Sequence, residues 1–227
     1  DTRGADNEPL LARTRVAFAD GARGFFNEAA VAHVGGGFGR NQRGMSRVRS
    51  LSYQSSMCAG QFGADDTARN MVEPRAREQF MRKILGLAPG VRSVLELGAD
   101  RGHNLQAVAL VNPAVELHGV EINPAAFEVL TEAPGVNASH GSLVDVDAGR
   151  TYDFVMTAGV LIQLAPEELP VEVMYRGHDK MLFNGDFAGE MLDMFPEALR
   201  VVDDGFMWKR FERFDNSTWF LLEKIGR

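Results

Sequence analysis

The stretch V-L-E-L-G-A-D-R-G-H-N, residues 94–104, decides how this 227-residue chain reads. A short apolar run, Val94, Leu95 and Leu97, carries one acid, Glu96, and meets Gly98 and then Gly102. Residues 104–111 that follow have helical character, so the order is strand, tight turn, helix start. Gly98 suits a turn where a side chain would block the backbone, and Gly102 lets the helix lie close to the strand or to a ligand. A ligand over such a turn rests on backbone N–H groups, which makes Gly98, Ala99, Gly102 and Asn104 candidate contacts beside Glu96. An ordinary βα turn that binds nothing carries the same two glycines, so the surrounding sequence has to decide.

The deciding neighbour is L-H-G-V-E-I-N-P, residues 117–124. It reads as a second short strand closing on Glu121, about twenty residues past the turn, where nucleotide-binding βαβ units place a carboxylate on ribose hydroxyls. Ile122 follows it as a second contact. The dinucleotide version of the fingerprint needs glycines where this chain has Asp100 and His103. Both side chains crowd a pyrophosphate and Asp100 also repels it, which disfavours a nicotinamide cofactor.

Together, E-L-G-A-D-R-G (96–102) and G-V-E-I-N (119–123) resemble motifs I and II of class I S-adenosylmethionine-dependent methyltransferases. Five further segments resemble one branch, the pseudaminic acid biosynthesis-associated methylases: F-G-A-D-D-T-A-R-N (62–70), G-V-L-I-Q-L-A-P-E-E-L (159–169), Y-R-G-H-D-K-M-L-F (175–183), D-F-A-G-E-M-L (186–192) and T-W-F-L-L-E-K (218–224). The resemblance spans residues 61–224. It implies an α/β fold, a Rossmann-like doubly wound and mostly parallel sheet ending in a C-terminal antiparallel hairpin. It also implies S-adenosylmethionine as cofactor, with Arg69 and Asn70 near its methionine end. Ser142 and Leu143 would lie at the adenine, and Thr157, Gly159 and Val160 beside the transferred methyl. Asp66 stands where the family usually has Tyr, and Gln163 where it commonly has His.

Composition allows one good core plus an appendage: 45% of residues are hydrophobic and 24% charged. A net charge of −7 gives no general grip on nucleic acid. The sole cysteine, Cys58, cannot form an internal disulfide, which fits a reducing cytoplasm. No apolar run approaches the length of a membrane span. Residues 1–60 differ in texture, with eight Arg against five acids and clustered glycines. They read as an N-terminal extension, helical over 14–33 with breaks at Gly21 and Gly24, in front of a methyltransferase domain at 61–227.

Further elements follow in order: a helix over 67–87, a helix over 124–131 opened by Pro124, and strands over 136–139 and 152–157. The chain closes with a helix over 186–194 and two C-terminal strands. Only five residues separate Glu168 from Met174, too few for the crossover that another parallel strand needs. The expectation is that a segment is missing between Pro170 and Val171.

Methyl transfer is an in-line displacement from an activated sulfonium, so the protein chiefly has to align the acceptor and exclude water. A hydroxyl acceptor gains from a general base, for which His178 is the candidate. Arg176 beside it has the fork geometry to hold a sugar-acid carboxylate. His103, His118 and His140 lack metal-ligand spacing, and no metal is expected. The leading reading is a methyltransferase acting on a small sugar or nonulosonic-acid metabolite. The alternatives are a non-catalytic cofactor-binding scaffold and an NAD-dependent sugar-modifying enzyme.

Overall fold

The run S-V-L-E-L is buried at all five positions and forms β2 (Ser93–Leu97), the strand at which the sheet is wound. A strand covered on both faces has no polar side to alternate with, which is why it reads as a continuous run broken only by Glu96. The computed structural model describes residues 15–27, 53–143, 147–160, 172–175, 178–183, 195–206 and 218–225, with 189, 192 and 193. β2 pairs in parallel with β3 (Glu116–Glu121) on one side and with β5 (Asp147–Ala158) on the other, and β4 (Val136–His140) continues the parallel set past β3. Beyond β5 lies β1 (Arg15–Asn27), parallel to it, followed by antiparallel β9 (Thr218–Lys224) and β8 (Leu199–Phe206). The seven-stranded order is thus β4-β3-β2-β5-β1-β9-β8, a doubly wound sheet with the expected C-terminal hairpin. β6 (Glu172–Tyr175) and β7 (His178–Phe183) form a separate antiparallel pair.

Residues 15–27 correct the expectation of a helix over 14–33. The glycines that interrupt a helix there, Gly21 and Gly24, do not prevent a strand, and V-A-F and F-F are β-favouring. Pairing decides the matter: between β5 and β9 the segment is bonded along both edges, with a register shift between Phe18 and Arg23. The position beside β5, for which the short 168–174 interval leaves no crossover, is filled from the N-terminal part of the chain. The link between Pro170 and Val171 lies outside the described residues, as does most of the helix expected over 186–194.

The single helix expected over 67–87 is two. After α1 (Tyr53–Ala59), α2 (Gln61–Arg69) ends before Asn70, and α3 (Arg75–Leu87) starts after Pro74. Proline has no N–H to give to a preceding turn and its ring collides with that turn's carbonyl, so it opens a helix rather than continuing one. α3 buries Met81 and Ile84 against Leu105, Ala107 and Val108 of α4 (His103–Val111), in one core with Phe154, Met156, Trp219 and Leu221. Trp219 is 1% exposed and stands edge-on to Phe80, with the Lys83 ammonium 4.2 Å from its ring centre, so it packs in the core. Gly119 lets α4 and α5 (Pro124–Thr131) close onto β3, since a Cβ there would meet Ala99, Leu130 and Leu105 at 3.0–3.1 Å. Among the described residues no helix is long and apolar enough to cross a membrane.

Removing residues 1–52 strips β5 and β9 of their shared partner. Thermal unfolding followed by circular dichroism should show the midpoint falling by at least about 10 °C, as loss of a few kcal/mol from a domain this size implies. An unchanged midpoint would mean that β1 contributes nothing to the sheet.

Candidate functional site

β3 and β4 lie on one side of β2 and β5 lies on the other, so the strand order switches between β2 and β5, and in such sheets ligands usually sit outside the carboxyl ends of the strands at that point. Four segments meet there: the glycine turn after β2, the end of β3, the turn at 140–143 and the end of β5. Gly98, Asp100 and Gly102 all have positive φ, 73°, 46° and 76°. Gly98 also has to be small, because a Cβ there would collide with the methyl groups of Val160.

The turn does not offer its amides to a ligand as the sequence suggested. Gly98 N and Ala99 N both donate to Val120 O, at 2.9 and 3.0 Å, and Gly102 N donates to Ala99 O at 2.8 Å. Asp100 N donates to Glu121 Oε2 at 2.8 Å. These four amides are therefore engaged inside the protein and are not offered to a phosphate.

Glu121 is 7% exposed, turned inward at the end of β3. Its second oxygen, Oε1, accepts from Asn123 N at 2.8 Å. Burial raises its pKa, while the amides of Asn123, Asp100 and Ile122 favour the anion. A carboxylate has about four acceptor directions; with Asp100 N and Asn123 N on its two oxygens and the Ile122 amide also favouring the anion, Glu121 keeps acceptor capacity for a hydroxyl.

Around it lies a polar frame. Asn123 caps α5, accepting from Ala125 N and Ala126 N, and its amide donates to Cys58 O and Gly60 O at 2.8 and 2.9 Å. Asp100 accepts from Thr67 Oγ1 and Asn70 Nδ2, both at 2.7 Å. Arg101 donates to Thr67 O at 3.3 Å. The α1–α2 segment is therefore fastened to the glycine turn at one end and to the start of α5 at the other. The Cys58 thiol is pushed up to about 11, chiefly by burial, so it is no nucleophile at neutral pH.

Beneath the turn, Glu96 is 1% exposed and accepts from Asn104 Nδ2 at 2.6 Å, and Asn104 Oδ1 accepts from Arg77 Nη1 at 2.6 Å. Glu96 Oε2 and Thr157 Oγ1 are buried with no hydrogen-bond partner among the described residues.

The structure thus brings Asn70, Glu96, Gly98, Ala99, Gly102, Asn104, Glu121, Ile122, Thr157, Gly159 and Val160 to the carboxyl end of the sheet. Leu143 is buried and Ser142 half-buried in the turn after β4. Arg69 is not brought in: it is exposed on α2 and pairs with Asp66 at 3.1 Å. His178 is the first residue of β7, opposite Tyr175, and Arg176 lies outside the described residues. Among the described residues no cluster of His, Cys, Asp and Glu could hold a metal. Sequence reasoning missed Asn123, Arg77 and the positive role of Asp100. The N-P pair before α5 is a readable cap signal, whereas the partners of Arg77 and Asp100 are 27 and 30–33 residues away.

No family model matches the sequence, and no similar sequence is found among curated proteins. Solved structures do match. The plantazolicin methyltransferase BpumL in complex with SAH superposes with a TM-score of 0.55 at 12% identity, over 76% of this chain and 94% of that one. SAM-bound CalS10, an amino pentose methyltransferase from Micromonospora echinaspora, gives 0.52 at 13% identity, over 78% and 99%. The fold is that of the class I methyltransferases.

Asp100→Ala removes the acceptor for Thr67 and Asn70 and leaves a β-carbon at positive φ with no local bond to support it. It should cost about 1–3 kcal/mol and speed hydrogen exchange over residues 61–74. Asp100→Asn, which tolerates the same φ and keeps one acceptor oxygen, should cost less. Equal exchange in Asp100→Ala and the unmodified chain would show that the clasp holds nothing.

Proposed function

We propose that the chain is an S-adenosylmethionine-dependent methyltransferase acting on a hydroxyl or amine of a sugar or nonulosonic-acid-type metabolite. One observation carries the reading: the amides of Gly98, Ala99, Asp100 and Gly102 are engaged within the protein while the inward-facing Glu121 keeps acceptor capacity. That combination suits a nucleoside with two ribose hydroxyls and no pyrophosphate, and it speaks against the nicotinamide alternative.

In this reading Glu121 and Ile122 hold the ribose, and Ser142 and Leu143 the adenine. Gly98, Ala99 and Gly102 form the floor, with Asn70, Asn104 and Glu96 toward the methionyl end, where the unpartnered Glu96 Oε2 suits a cationic group. Thr157, Gly159 and Val160 border the methyl. When bound, the cofactor supplies a methyl on a sulfonium already primed to leave. The chain's own residues orient the acceptor and keep water out.

His178 would take the proton of a hydroxyl acceptor and Arg176 would hold a carboxylate. The sugar-type acceptor rests on the Y-R-G-H and D-F-A-G-E segments and their resemblance to the pseudaminic acid-associated methylases. CalS10, with its amino pentose substrate, is a sugar-methylating example of the same fold. With β1 inside the sheet, the functional unit takes in residues 15–27 as well as 61–227. The reducing, cytoplasmic setting is proposed from the lone Cys58.

Titration calorimetry with S-adenosylmethionine and NAD, then transfer of a tritiated methyl to a panel of sugar acids and amino sugars, tests this. The sulfonium cofactor should bind and NAD should not, and Glu121→Gln should weaken binding roughly tenfold or more through loss of charged acceptors. Binding without transfer to any acceptor would favour the scaffold alternative. Binding of NAD alone would contradict the proposal.

A further inference from the structure

Arg77 lies on α3, outside every motif that marks the candidate site, yet it is joined to that site by two short hydrogen bonds in series. Its Nη1 donates to Asn104 Oδ1 at 2.6 Å, and Asn104 Nδ2 donates to Glu96 Oε1 at 2.6 Å. The direction of this chain is fixed by chemistry. A guanidinium has only donors, so the amide has to present its oxygen to Arg77 and its nitrogen to Glu96. An amide nitrogen can donate to a carboxylate but cannot accept from a carboxylic acid. Arg77 thereby fixes the Asn104 amide in the orientation that favours the charged form of Glu96. Without Arg77 the amide is free to turn, and its oxygen would then accept a hydrogen bond from the O–H of a neutral Glu96.

We propose that Arg77 is a positioning residue which, through the Asn104 amide, poises Glu96 to ionise when a cation of the ammonium–sulfonium class docks above the glycine turn. The ligand half of this rests on the methyltransferase reading; the relay itself does not. Two observations besides the relay point the same way. Glu96 is 1% exposed, and its Oε2 has no hydrogen-bond partner among the described residues, so one oxygen of a buried acid is left over there. The charged groups facing it are Arg77 from α3, which favours the anion, and Asp100 from the turn and Glu121 from β3, which oppose it.

Burial pushes the Glu96 carboxyl up to about 8, and the Asn104 hydrogen bond and the Arg77 charge hold it from rising further. Burial thus favours the acid form in the ligand-free site. A docking cation then favours the carboxylate, and the proton leaves to solvent. Cofactor affinity should accordingly rise with pH up to the Glu96 midpoint.

The test is a carbon-13 titration of the Glu96 carboxyl in the ligand-free full chain, assigned by its disappearance in Glu96→Gln. Arg77→Met should move the midpoint upward by about one pH unit, the size expected for losing a nearby opposite charge. Arg77→Lys, which keeps a cationic donor, should restore it. Asn104→Leu, which cuts the relay but spares Arg77, provides a second reading where Arg77→Met does not fold. A midpoint unmoved in both folded variants overturns the relay.

In a second arm, calorimetry with S-adenosylmethionine from pH 6 to 9 should show the affinity profile of Arg77→Met displaced to higher pH. A loss of affinity by the same factor at every pH overturns the proposed coupling. Absence of binding to the unmodified chain at any pH overturns the cofactor reading instead, and with it the ligand half of the proposal.

Discussion

The site depends on the carboxylate of Glu121 taking one backbone N–H on each oxygen, from Asp100 at the glycine turn and from Asn123 at the start of α5. Those two bonds tie two βα junctions to a single acid. They also orient the acid inward, where free rotation would let it seek water. Burying an acid is unfavourable unless it is hydrogen-bonded. The two amides offset part of that cost while leaving lone pairs for a ligand. Asn123 extends the frame to the carbonyls of Cys58 and Gly60, and Asp100 extends it to Thr67 and Asn70. In this way the helices before the first central strand are held over the crevice by the same residues that shape its floor.

The internal engagement of the turn's amides separates this site from a dinucleotide site of the same topology. A pyrophosphate needs N–H groups pointing at it and a glycine at close approach. Here Gly98 N and Ala99 N converge on Val120 O, and the next residue is an acid already paired with α2. The left-handed turn is retained, but its hydrogen bonds stabilise the junction of β2 with β3. Recognition is left to side chains, chiefly Glu121.

Much of this was legible in the sequence because it is local. The V-L-E-L-G-A-D-R-G run, the acid closing β3 and the N-P start of α5 each name their structure within a few residues, and the C-terminal hairpin follows from its short connection. The errors came from long-range pairing and from one proline. Residues 15–27 have mixed local preference and become a strand because β5 and β9 leave a place for one. The break between α2 and α3 is marked locally by Pro74, which a single helix over 67–87 runs through. The relay from Arg77 could not be read at all, since its meaning depends on α3 crossing α4 so that residues 27 apart touch.

If Glu121 grips a ribose diol, the most direct measurement compares S-adenosylhomocysteine with its 2′,3′-dideoxy form by calorimetry on the unmodified chain. A site built to hydrogen-bond hydroxyls rejects a ligand that lacks them by far more than the small loss of contact area. The dideoxy compound should bind weaker by at least about a hundredfold, the effect of two hydrogen bonds to a charged acceptor. Equal affinity for the two would show that Glu121 serves only to join the βα junctions and that the nucleoside assignment is wrong.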